Sequence, residues 1–208
     1  MSTAPGHPGL IVDANVREFF RGLVMAATRH QGVESTDDTL YYLVNLLTTF
    51  SRSESLFEHT SEGLMLRPLA QLYSEAVEAT SGERRNLALQ RLGDVALFIS
   101  GVFPHSLSRK PVDVDYYIAM GGGAYGYLSA AAHETRRWRV LQAVFLELAR
   151  NFTSYVDVLG EVCERAHFHD DSDILRLYEL WLRTGSRRMA KQLRRLGIEP
   201  SSGSLSRH

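Results

Sequence analysis

In "WRVLQAVFLELARNFTSYVDVLGEV", residues 138–162, apolar side chains fall at 138, 141, 145, 148, 152, 155 or 156, 159 and 162. These are steps of three and four held over 25 residues. A half-buried strand would alternate at period two, whereas a helix of about 3.6 residues per turn brings such positions onto one face. The spacing predicts one long amphipathic helix, or two helices bent near Asn151, burying Trp138, Phe145 and Phe152. So regular a seam suits an antiparallel neighbour in a bundle or a second copy of the chain.

The same period recurs on either side. Val16, Phe19, Phe20, Leu23 and Ala27 predict a first helix over about 14–30, capped by Asp13 and ended by Gly32. Leu40, Leu43, Val44, Leu47 and Phe50 predict a second over about 37–51, with Ser35 or Thr36 as cap. After an irregular piece around 51–63, Leu69, Leu72, Tyr73, Ala76 and Val77 predict a third near 65–79, with Pro68 in its first turn. Thr80 and Glu83 have capping-box spacing for a fourth helix, which carries Leu89, Leu92, Val95, Ala96, Ile99 and Val102 and stops before Pro104. The two prolines of "PHSLSRKPV", 104–112, forbid helix, and another begins at about Asp113. "HFHDDSD", 167–173, breaks the pattern; a stripe of Ile174, Leu177, Tyr178 and Trp181 and a last helix over about 187–196 follow. The expected fold is an all-α, single-domain bundle of about seven to nine helices over 13–197, with flexible tails at 1–12 and 198–208.

Composition narrows the function classes. The 208 residues carry 23 Lys plus Arg against 24 Asp plus Glu, a net charge of -1, so no global field draws the molecule to nucleic acid or an anionic membrane. Cys163 is the single cysteine, which excludes an internal disulfide and fits a reducing cytoplasm. The opening "MSTAPGHPGLIV" lacks the basic leader and apolar run of a signal peptide, and no apolar stretch is long enough to span a bilayer.

Gly121, Gly122 and Gly123 interrupt an otherwise helical stretch, at about 1 kcal/mol each relative to alanine. Either the missing side chains let a backbone or flat ligand approach the helix axis, or a glycine takes positive φ and the chain bends there. A glycine-bent helix near 121–123 is expected. A candidate ligand pocket joins these glycines to Asp115, Tyr116, Tyr117 and Tyr125 and to Arg109 and Lys110 on the preceding loop. The spacing is neither a P-loop nor a dinucleotide fingerprint.

"CERAHFHDDSD" holds the densest metal-ligating residues: Cys163, Glu164, His167, His169 and Asp170. Glu164 and His167 form half of a di-iron motif whose second half is missing, and His169 and Asp170 lack the distant aspartate of an HD-type phosphohydrolase. No nucleophile elbow is present. Arg187, Arg188, Lys191, Arg194 and Arg195 spread over one broad face of the last helix, a candidate surface for an acidic protein, with nucleic acid disfavoured.

The expectation is a non-catalytic cytoplasmic bundle acting through protein–protein contact, as a regulator or adaptor and as a homodimer. A small-molecule or cofactor-binding bundle with its pocket at Gly121–Gly123, with catalysis open and no cofactor specified, ranks second. Metal-dependent activity at Cys163–Asp173 ranks third.

Overall fold

A computed structural model of the chain describes residues 8–51, 57–60, 63–66, 68–103, 114–131, 136–166, 181, 189–191 and 193. Seven helices can be delimited among them, and residues 181, 189–191 and 193 are also helical. Helix α1, Pro8–His30, starts earlier than expected, because Pro8 has the fixed φ of a first helical position; Asp13 and residues 8–12, expected as cap and tail, lie inside it. It ends at Gly32, whose φ of 65° is left-handed. Helix α2, Asp37–Phe50, is capped by Thr36, one of the two expected candidates, whose hydroxyl accepts from the Thr39 N–H at 3.3 Å.

The irregular piece contains a hairpin: β1, Phe57–Thr60, pairs antiparallel with β2, Gly63–Leu66, joining Phe57 to Leu66 and Thr60 to Gly63. Strands of four residues are too short for period two to register in sequence. Helix α3 is therefore shorter than expected, Leu69–Glu78, and Pro68 precedes it. Helix α4, Gly82–Val102, is capped by Ser81, not Thr80; Ser81 accepts from the Arg84 N–H and frees Glu83 for another role. Helix α5 is Val114–Ala130, α6 is Arg136–Arg150 and α7 is Phe152–Arg165, so the long seam is two helices broken at Asn151.

The bundle is all-α apart from the hairpin. Helix α4 is its axis, packed by α2, α3, α5 and α7, while α6 covers α5 and α1 lies against α2 and α7. From Leu92 to Phe103 every α4 residue except Asp94 is buried. Trp138, Phe145, Leu148, Phe152, Leu159 and Val162 are all buried in one continuous cluster running from α1 to α7. The seam is thus consumed inside the chain. Phe19, Tyr73 and Val77, expected inward, are exposed.

Three glycines set how closely α4, α5 and α7 pack. A Cβ on Gly121 would lie 2.5 Å from Phe152 Cζ and 2.7 Å from Ala96 Cβ. One on Gly101 would meet Leu159 Cβ at 2.6 Å, and one on Gly93 would meet the Tyr125 ring at 2.6 Å. No glycine of 121–123 has positive φ, and α5 runs unbroken through them, so close approach and not a turn explains the run. Only Gly121 is so used: a Cβ on Gly123 would find nothing within 4 Å.

Gly121→Ala should destabilise the protein by about 1–3 kcal/mol through overpacking. Gly123→Ala should stabilise it by about 0.5–1 kcal/mol through helix propensity. Urea unfolding followed by circular dichroism compares the two; equal effects would remove the close-packing account.

Candidate functional site

Helix α6 has two sharply different faces. Its inner face carries Trp138, Val144, Phe145 and Leu148, all buried. Phe145 stacks on Tyr125 of α5 at 5.6 Å and meets Tyr42 of α2 edge-on at 5.8 Å. Polar anchors run the length of the helix. The Trp138 indole N–H donates to Glu83 Oε2 at 2.6 Å, the role left open once Ser81 caps α4. Gln142 Nε2 donates to the Ser129 carbonyl at 2.7 Å.

At the other end Glu147 reaches the start of α2. Its Oε2 accepts from the Thr36 and Thr39 hydroxyls at 2.7 and 2.9 Å, and its Oε1 accepts from the Tyr155 hydroxyl at 2.6 Å and the Thr36 N–H at 3.1 Å. Burial pushes this carboxyl upward, but the hydrogen bonds from Tyr155, Thr36 and Thr39 outweigh it and hold the group below its usual range. A carboxylate beside the N–H groups opening α2 also meets the favourable end of that helix's dipole.

Beneath α6 lies a second carboxylate. Asp94 Oδ1 accepts from the Tyr42 hydroxyl at 2.5 Å and from the Tyr125 hydroxyl at 2.7 Å, and Gln90 Nε2 donates to Tyr42 at 3.0 Å. Desolvation raises Asp94 from 3.8 to about 6, although both tyrosines and the nearby Arg91 oppose the shift. Burial likewise raises both phenols well above their ordinary value, so they remain donors. The cluster ties α2, α4 and α5 together where Phe145 covers them.

The outer face of α6 is different. Arg136, Arg139, Val140, Ala143, Leu146 and Arg150 are exposed and, at helical spacing, share one side. Val140 is 61 % exposed and Leu146 39 %. Among the described residues Arg136, Arg139 and Arg150 have no ion-pair partner. Arg137 lies over the Trp138 ring at 5.3 Å.

The residues of the expected ligand pocket are spread over several environments among the described residues. Gly121 is filled by Phe152 and Ala96, and Tyr125 turns into the core to meet Asp94. Tyr116 and Tyr117 are half-buried and pair edge-to-face with each other at 5.9 Å, while Asp115 and Gly123 are exposed and Gly122 is half-buried. Arg109 and Lys110 lie outside the described residues. Of the metal set, Cys163 is buried in the core and Glu164 is exposed; His167, His169 and Asp170 lie outside the described residues. Among the described residues no three His, Cys, Asp or Glu side chains gather as a metal site. Of the basic C-terminal set, Lys191 is exposed beside buried Ala190 and Leu193, and Arg187, Arg188, Arg194 and Arg195 lie outside the described residues.

Asp94, Tyr42 and Glu147 were not singled out in the sequence, and Glu83 was read there only as a capping-box residue. The available signal was a charge inside an apolar stripe, Asp94 between Leu92 and Val95 and Glu147 between Leu146 and Leu148. Among the described residues no helix is long and apolar enough to cross a membrane. No protein-family profile matches the chain, and neither a curated protein nor a solved structure matches it. Among the described residues, fold and surface define a class: a helical bundle with one short hairpin, in which the amphipathic helix α6 is anchored at the surface.

The two carboxylates act oppositely with pH. Asp94 binds its proton more tightly folded than unfolded, so its contribution grows as pH falls from above 6 toward 3.8, by about 3 kcal/mol at most. Glu147, lowered from 4.5, contributes above that value and loses its contribution as pH falls through its folded pKa. Thermal melts of Asp94→Asn should therefore show a raised melting temperature at neutral pH and little change near pH 4 (from the Asp94 shift). Glu147→Gln should lower the melting temperature at neutral pH and flatten the acid limb; a pH-independent effect of Asp94→Asn would contradict the burial of its charge.

Proposed function

We propose that the chain is a cytoplasmic interaction protein, a regulator or adaptor, that works by displaying the outer face of α6 to other proteins. The observation that carries this reading is Val140 and Leu146, left 61 % and 39 % exposed beside Ala143 among arginines with no carboxylate partner in the described residues. Fully burying an exposed side chain of this kind is worth roughly 1.5–3 kcal/mol, and a docking partner recovers the share that corresponds to the surface still exposed. The anchors at Trp138, Gln142, Phe145 and Glu147 add to this, because a helix already held in place loses little entropy when bound. Self-association through the 138–162 seam is disfavoured, since that seam is buried within the chain.

Photo-crosslinking in the producing cell tests the reading. A benzophenone amino acid at Val140 should give higher-mass adducts that the same group at exposed Thr49 does not, and Leu146→Asp should abolish them. A folded, well-expressed protein whose Val140 adducts match those from Thr49 would refute it.

A further inference from the structure

We infer that the partner of α6 is an acidic protein segment bearing its own short apolar face, and neither a nucleic acid nor a second copy of the chain. The inference rests on the interaction reading above and concerns the chemistry of the occupant.

The stripe has a defined order. Along one side of the helix stand Arg136, Arg139, Val140, Ala143, Leu146 and Arg150, cations at both ends and apolar groups between. Fourteen residue steps from Arg136 to Arg150 at about 1.5 Å each span roughly 21 Å, the length of about four helical turns. A complementary segment has carboxylates toward both ends and two or three apolar side chains in the middle. Small Ala143 at the centre lets such a segment come close.

The charge on this helix is unbalanced. Helix α6 carries Arg136, Arg137, Arg139 and Arg150 against a single carboxylate, Glu147, whose oxygens are taken by Thr36, Thr39 and Tyr155. Its first turn contains no acidic residue, so three arginines crowd the positive end of the helix dipole. A partner carboxylate there relieves repulsion as well as gaining attraction.

The other occupants fit less well. Two α6 helices paired antiparallel about Ala143 would set Val140 against Leu146, yet would also set Arg136 against Arg150 at both ends of the contact. Nucleic acid would answer the arginines but leave Val140 and Leu146 against a phosphate backbone that offers apolar groups nothing. The chain's net charge of -1 adds no long-range pull toward it.

Fluorescence anisotropy on the purified full chain tests this with a labelled amphipathic peptide that has leucines on one face and glutamates flanking them. A twin peptide with lysines for glutamates, and a duplex DNA, serve as comparisons; light scattering reports self-association. The acidic peptide should bind at least about tenfold more tightly than the lysine twin and weaken with salt. Joint Arg136→Glu, Arg139→Glu and Arg150→Glu should reverse the preference, and Val140→Ser with Leu146→Ser should weaken binding about tenfold with circular dichroism unchanged.

Equal affinity for the two peptides, no binding of either, tighter binding of DNA, or a dimer disrupted by the Val140 and Leu146 substitutions would each overturn the inference. If Val140 crosslinks persist in cells while the peptides behave alike, only the acidic chemistry fails. If the crosslinks themselves are missing, the interaction reading fails with it.

Discussion

The backbone of α4 lies so close to α5 and α7 that side chains at three positions would collide. Gly93 takes the Tyr125 ring, Gly101 takes Leu159, and Gly121 takes both Phe152 and Ala96. Interiors pack to crystal-like density, so one added methyl at such a point has no space to enter. Helix α4 can therefore be the buried axis of the bundle, with α2 and α3 on its remaining sides. Helices α4 and α5 give up some intrinsic helix propensity at these glycines and recover it in contact.

That crossing also places the polar groups. With Gly93 admitting the Tyr125 ring, the phenol reaches Asp94 one residue along α4, and Tyr42 arrives at the same oxygen from α2. The cluster gives two buried hydroxyls a shared acceptor, which an apolar core could not, while the carboxylate itself is raised toward neutrality. Glu147 solves a different problem, satisfying the open N–H end of α2 from a helix distant in sequence. Both carboxylates bind helices together, and Phe145 sits over the tyrosines that serve the first.

Helix α6 emerges from this arrangement with one face committed and the other free. Anchors along its length hold it to α2, α4, α5 and α7. Of the tyrosine and glycine groups that looked like a pocket in the sequence, Gly121 and Tyr125 are spent on internal packing. The outer face of α6 carries apolar side chains between cations, the feature on which the proposed interaction rests.

Helix periodicity, the end of α1 at Gly32 and the stop of α4 before Pro104 were legible in the residue order, which also narrowed the α2 cap to Ser35 or Thr36 and the long seam to one helix or two bent near Asn151. Each depends on neighbours within about one turn, and local backbone physics acts at that range. The hairpin, the Ser81 cap and the exposed sides of Phe19, Tyr73 and Val77 were not, because short strands and competing cap residues give weak local signals. The candidate site was less legible still. Thr36 meets Glu147 across 111 positions and Tyr42 meets Asp94 across 52, so their pairing exists only once the helices have packed. A period of three and four marks a side chain as facing something; whether that something is Phe152, a tyrosine or another protein is set by which helix lies opposite.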